Sequence, residues 1–289
     1  MKDKVKDVYD IFSGRALGIL PGNLAFSFFL AIIPILTILF FVLTNLNLPL
    51  DIIQNFLNNT FPEGVNSLLE PIFTSQITLD SIITIVFGLL VTANGCNAII
   101  LASNTIYNID DASLLKRYIK SFVLTILLIL LFSFIVIVPL FGRSIISILA
   151  RAVDSYIEYE KFVNIVYVIL QIPVSILFIF SFIKLVYIIA PDDRIPGKYS
   201  NKGALFTTLG WLLVTNIYSY YINNIARYNL VYGNLANIVI LLLWFYVLAY
   251  VFVIGLYLNK KSAEAGIEKT NTIKLDEIRK KVNEVSKTK

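Results

Sequence analysis

The sequence predicts an all-α fold: a polytopic membrane helical bundle with about six spanning helices and short interfacial helices. Three observations carry this. The 289 residues are 57% hydrophobic and only 15% charged, against about 25% charged in a soluble domain. The charges are segregated, leaving six windows without Asp, Glu, Lys or Arg: 16–50, 81–109, 121–142, 162–183, 203–226 and 228–259. Each exceeds the roughly 20 residues that cross a hydrocarbon core about 30 Å thick. Finally, 20 of the 24 Lys and Arg residues fall on one side of the bundle those windows define.

Spans are expected near 23–46, 80–104, 119–142, 162–189, 203–224 and 235–258. All are helices, because lipid offers no partner to open backbone groups and the alternation of a barrel strand is absent. The basic side comprises the N-terminal arm, the 2–3 and 4–5 connections and the tail. It should be cytoplasmic, which puts both termini inside.

The segments between spans follow. Within residues 1–22, Val5, Val8, Tyr9, Phe12, Ala16 and Ile19 recur at helical spacing opposite Lys and Asp. This predicts a cytoplasmic interfacial amphipathic helix ended by Pro21-Gly22. No cleavable signal peptide is expected there. Residues 48–76 carry no basic residue and two amphipathic patches, Ile52, Ile53, Phe56, Leu57 and Val65, Leu68, Leu69, Ile72, Phe73. They predict an extracellular amphipathic cap on the six-helix domain 23–258. Residues 259–289 form a charged, mobile cytoplasmic tail with some helix.

The chemistry-bearing groups are sparse. With no His and a single cysteine, Cys96, there is no imidazole base, no His metal ligand and no intramolecular disulfide. No two acids share a span. The adjacent pairs Asp110-Asp111 and Asp192-Asp193 precede basic runs, where acids cap helices or neutralise neighbours. No enzyme activity, metal, cofactor or nucleic-acid partner is expected. No carboxylate lies inside a span, which weakens ion-coupled transport through a membrane acid.

The polar groups inside the spans are mostly amides. Asn94, Asn97, Asn104 and Asn108 follow at offsets of 3, 7 and 4, one narrow face of a helix. Asn216, Tyr220 and Asn224 step by four along another. In lipid such groups would be unsatisfied, so both stripes should face the bundle interior on opposing walls. Two readings stay open: interhelical hydrogen bonding, or a polar path. Pro34 and Pro173 remove backbone donors opposite Leu30 and Ile169 and are candidate kinks, either static or hinge-like. Lys184 lies near its helix end and should snorkel. Tyr218, Tyr221, Tyr228 and Tyr232 fit an aromatic belt.

The run Ala25-Phe26-Ser27-Phe28-Phe29-Leu30-Ala31-Ile32-Ile33-Pro34 resembles the first-helix signature of the YihY/BrkB family of bacterial inner-membrane proteins. So do Asn97 through Asn104-Thr105-Ile106-Tyr107-Asn108 to Lys116-Arg117, and Leu185-Val186-Tyr187 with Pro191 and the Asp-Asp-Arg loop. Tyr228-Asn229-Leu230-Val231-Tyr232-Gly233-Asn234-Leu235, leading to Trp244 and then to Gly255 and Asn259, is similar too. The resemblance spans roughly residues 10–265. It implies a six-helix fold in the cytoplasmic membrane. In the last motif Leu256 and Tyr257 stand where the family has Ala and Glu, so no role of that Glu carries over. The family has carried labels of ribonuclease and of serum-resistance factor, and movement of lipids or other amphiphiles is a further expectation from it.

These features favour a transporter or flippase-like protein for an amphiphile or small solute, with membrane lipids as its surroundings. The alternative is a non-transporting envelope scaffold or a stress- or virulence-associated membrane protein. An enzyme acting on lipid headgroups is disfavoured. Oligomeric state and energy source are not encoded in any motif.

Overall fold

The computed structural model describes residues 15–45, 79–131, 159–224 and 234–287. It is helical throughout these segments, apart from short connections. Helix α1 is Arg15–Asn45, α2 Leu79–Tyr107, α4 Tyr159–Ile189, α5 Asn201–Asn224 and α6 Asn234–Lys287; α3 is described over residues 114–131. A 3₁₀ turn, Gly197–Ser200, leads into α5. Each helix covers the described part of one expected span. The stretches Gly18–Thr37, Val86–Tyr107 and Ile238–Ile267 are long and apolar enough to cross a membrane, and Pro173–Ile189 is a shorter apolar stretch. The expected cap 48–76 and the greater part of the N-terminal arm lie outside the described residues.

One expectation about a helix end is corrected. Pro21-Gly22 does not terminate a helix, since α1 runs through it. The missing Pro21 donor removes one bond, to the Leu17 carbonyl, and in an apolar setting no other conformation satisfies the remaining backbone groups better. Helix α6 continues unbroken for 54 residues, about 80 Å at 1.5 Å per residue, so the helix expected in part of the tail runs on from the last span. Its Ala, Glu and Lys content favours helix, and Gly266 lets α6 seat against the Tyr199 ring of the 3₁₀ turn. Pro34 lies within α1, and Pro173 within α4 on its exposed side.

Helix α6 is the hub, packing against α1 and α5, while α1 also packs along α2 and α4 along α5. Lipid removes the hydrophobic drive between helices, so close backbone approach by small residues matters more. Ala25 and Ala31 of α1 and Ala93, Ala98 and Ala102 of α2 are buried, and at the α1–α2 contact a Cβ on Gly95 would come 3.1 Å from the Ser27 carbonyl oxygen and 3.5 Å from Ala31. Trp211 of α5 donates its Nε1–H to the Leu248 carbonyl of α6 at 2.9 Å, and Tyr218 stacks on Trp244 at 5.1 Å. In α3, Thr125 donates to Cys96 Sγ at 3.4 Å, tying this helix to α2. Leu115, Tyr118, Ile119, Phe122, Val123, Ile126 and Leu130 of the same helix are exposed, an apolar surface suited to lipid.

Candidate functional site

The asparagine stripe of α2 divides. Ile83, Phe87 and Leu90 are exposed, and Asn94, Asn97, Leu101 and Thr105 continue that face at steps of three and four, exposed or half-buried. The interior expected for these amides is not where Asn94 stands. The buried face of α2 is instead taken by Ala93, Cys96, Ile99, Ile100 and Ala102, with the buried hydroxyls Thr92 and Ser103. Those hydroxyls donate to carbonyls one turn back in their own helix, at Gly88 and Ile99. Neither Asn94 nor Asn97 makes a side-chain hydrogen bond among the described residues. They lie 13 and 10 residues before the end of α2 at Tyr107, about 15–20 Å along the helix. The result is an outward-facing seam, apolar over its first half and amide- and hydroxyl-bearing over its second.

Asn108 closes that helix. It has φ 55°; Ile109 N–H donates to the Asn104 carbonyl at 2.9 Å and Asn108 N–H to Thr105 at 3.4 Å. This is a Schellman ending, in which Asn tolerates the left-handed position better than most residues. Its role is therefore a helix stop, and it remains exposed at the end of the seam.

Asn104 turns away from the seam and is 1% exposed. Its amide donates to Asp111 Oδ1 at 2.9 Å and Asp192 Oδ2 at 2.7 Å, and its carbonyl accepts Asp192 N–H at 2.9 Å. Asp192 also accepts the Ala112 N–H at 3.0 Å and the Lys120 ammonium at 2.7 Å. Lys120 further donates to the Pro191 carbonyl at 2.7 Å, and Arg117 pairs with Asp111 at 3.0 Å. One amide thus clamps the α2–α3 connection to the loop after α4. Burial alone would raise the Asp192 carboxyl, but hydrogen bonds from Lys120, Ala112 N–H and Asn104, with the Lys120 charge, outweigh it and hold the group below its ordinary value. The acids at 111 and 192 each neutralise a basic neighbour, as adjacent acids before basic runs are expected to do.

Asn216 and Tyr220 do not face the bundle interior as an opposing wall. Helix α5 packs chiefly on α6 and α4. Asn216 and Tyr220 are exposed, and Asn216 donates to the Leu212 carbonyl of its own helix at 2.7 Å. That internal bond removes the need for an interior partner. Asn224 is the last residue of α5.

A second polar joint was missed from sequence. Fully buried Tyr187 of α4 pairs with Thr207 of α5 at 2.6 Å and donates to the Phe252 carbonyl of α6 at 2.9 Å. Asn259 accepts the Gly203 N–H at 2.7 Å. A Cβ on Gly203 would overlap the Gly255 carbonyl oxygen, and one on Gly255 would overlap the Thr207 and Tyr187 hydroxyls. The motif residues Gly255 and Asn259 therefore join three helices. Trp244 is half-buried about three turns earlier in α6, against Tyr218 and Phe245, whereas Tyr232 and Gly233 lie outside the described residues. Tyr257, at the departure from the family pattern, lies under the Lys261 ammonium, 5.5 Å from its ring centre. The signal for this joint was small residues, Gly203 and Gly255, at one end of two neighbouring spans.

Comparison with known proteins gives a coherent picture. Residues 10–275 match the family described as Virulence factor BrkB. The ribonuclease-like protein YfkH of Bacillus subtilis is 26% identical over 82% of this chain and 87% of its own length. A UPF0761 membrane protein of Pelodictyon phaeoclathratiforme is 26% identical over 78% of this chain and 52% of its length. Another, from Pseudoalteromonas translucida, is 32% identical over 32% of this chain and 31% of its own. No solved structure matches.

Proposed function

The chain belongs to the BrkB family of membrane proteins, and from that premise we propose that it is a flippase-like carrier, moving amphiphiles between leaflets of the bacterial cytoplasmic membrane with both its termini inside. The carrying observation is the outward seam of α2. An unpaired amide in hydrocarbon costs about 4–8 kcal/mol on a water-to-cyclohexane scale. Asn94 and Asn97 are held in mid-span without a side-chain partner among the described residues. A headgroup, with its water, travelling along the seam supplies the missing partner while the acyl chains stay in lipid. The Asp111 and Asp192 carboxylates are engaged by Arg117 and Lys120, which favours the carrier over an enzyme built on those two acids. The scaffold reading draws on the Gly203–Gly255–Asn259 joint, which is rigid packing without a path.

The test is transbilayer movement in liposomes. Purified chain is reconstituted with an acyl-labelled fluorescent phospholipid, and dithionite quenches label reaching the outer leaflet. Wild type should exceed protein-free liposomes. Asn94→Leu and Asn97→Leu should abolish the excess while leaving the melting temperature unchanged, and Leu101→Ala should retain it. Equal rates for wild type and both leucine variants would leave the scaffold reading standing.

A further inference from the structure

Resting on that carrier reading, we propose that the seam is built for zwitterionic phospholipid headgroups, with ammonium and phosphate read by separate charges at its basic end. The seam carries amides and a hydroxyl but no charge, so it tolerates a headgroup without selecting its sign. Selection falls to the corner where the seam ends at Asn108. Two of the acids there are already engaged: Asp111 by Arg117 at 3.0 Å and Asp192 by Lys120 at 2.7 Å. Their chain neighbours are not. Asp110, Lys116, Asp193 and Arg194 are all exposed, and none makes an ion pair or other polar contact among the described residues.

The ion pairs fix where these four stand. Asp110 and Lys116 each adjoin a member of the Asp111–Arg117 pair, so they flank it within a few residue lengths of about 3.8 Å each. Asp193 and Arg194 follow Asp192, which Asn104 clamps against the same connection. The corner therefore presents two carboxylates and two cations, balanced in sign and open to solvent. A net-anionic headgroup would meet the carboxylates with nothing to offer them. A sugar headgroup would leave all four without a charged partner. A headgroup holding a phosphate and an ammonium engages both kinds at once.

Exposed charge contacts are worth about 0.2–1 kcal/mol each, which converts to about a threefold preference for one such contact in the middle of that range. The experiment uses the full chain in liposomes with acyl-labelled phosphatidylcholine, phosphatidylglycerol or glucosylceramide, and native mass spectrometry of the same three lipids bound to detergent-solubilised protein. Phosphatidylcholine should cross and bind about threefold better than phosphatidylglycerol. Asp110→Asn should bring that ratio close to one by slowing phosphatidylcholine alone. Lys116→Gln should slow both phospholipids and spare glucosylceramide. Circular dichroism and gel filtration confirm that each variant is folded. Transport in which phosphatidylglycerol equals or exceeds phosphatidylcholine, or a ratio indifferent to Asp110→Asn, overturns the headgroup proposal and leaves the carrier reading intact. Absence of any transport above protein-free liposomes overturns the carrier reading, and the binding ratio then decides the headgroup preference by itself.

Discussion

Replacing Asn104 with Leu removes one side chain that three parts of the molecule share. Its two donated bonds go to carboxylates at 2.9 and 2.7 Å, and it accepts the Asp192 N–H at 2.9 Å. The Asp111 side chain is 46% exposed, so water replaces that partner at little net cost. The Asp192 side chain is 8% exposed, so its bonds are not so easily replaced. A hydrogen bond to a charged group contributes about 1.5–3 kcal/mol and a neutral one about 1 kcal/mol. Lys120 and the Ala112 N–H still serve the carboxylate, which keeps the loss to about 2–4 kcal/mol. At about 2–3 °C per kcal/mol for a chain of this size, the melting temperature should fall by about 4–12 °C. The assay is thermal unfolding in detergent followed by circular dichroism. Asn108→Gly is the companion, because glycine suits the left-handed position that Asn108 occupies at φ 55°. It should change stability by less than about 0.5 kcal/mol. Equal loss in both variants, or none in Asn104→Leu, would refute the division of the stripe into clamp and helix stop.

Other expectations follow from the same contacts. Gly203→Ala should destabilise by about 2–4 kcal/mol in detergent unfolding, since its Cβ meets the Gly255 backbone oxygen and disturbs the Asn259 bond. Because the Asp192 carboxyl is held below its ordinary value, it stabilises the fold fully above about pH 4 and loses that contribution as pH falls through the depressed value. Melting temperature should therefore drop more steeply below pH 4 in wild type than in Asp192→Asn. Glu264 is exposed on the basic extension of α6, so Glu264→Cys in a Cys96→Ala background should react with an impermeant thiol reagent only after cells are permeabilised; labelling in intact cells would reverse the orientation inferred from Lys and Arg.

The helices were legible because their cause is simple. A charge-free window longer than the bilayer is thick has few options in lipid, and α1, α2, α4, α5 and α6 each cover one. The helix stops were less so. Pro21-Gly22 reads as a break by propensity, yet α1 continues through it because an interrupted backbone in lipid is worse than one missing bond. Among the polar residues, periodicity placed Asn94, Asn97, Asn104 and Asn108 on one narrow face, yet their surroundings differ, from exposed at Asn94 to buried at Asn104. It does not say which face looks inward. That depends on Gly95 seating α2 against Ser27 and Ala31 of α1, and on the Asp192 loop, 88 residues away in sequence, covering Asn104. Asn216 misled for a related reason: a polar side chain in a span is satisfied as well by its own helix, at Leu212, as by a neighbour. The Tyr187–Thr207 pair needed the three-dimensional crossing of α4, α5 and α6 and has no periodic signature.

The central claim is that the outward seam of α2 keeps a polar track within the bilayer. It is tested most directly by the hydration of a spin label at Leu101, between Asn97 and Thr105, measured by deuterium modulation of the electron spin echo in nanodiscs prepared in heavy water. The comparison is a label at Leu90, on the same face but in its apolar half. Helix α2 runs from Leu79 to Tyr107, so Leu101 lies nearer a helix end than Leu90 and depth alone already makes it the wetter position; the deciding quantity is therefore its dependence on the two asparagines. Water contact at Leu101 should exceed that at Leu90 and fall markedly when Asn94→Leu and Asn97→Leu are combined with the label, while that at Leu90 stays unchanged. A label at Leu101 as dry as the one at Leu90, or wet regardless of the two asparagines, would contradict it.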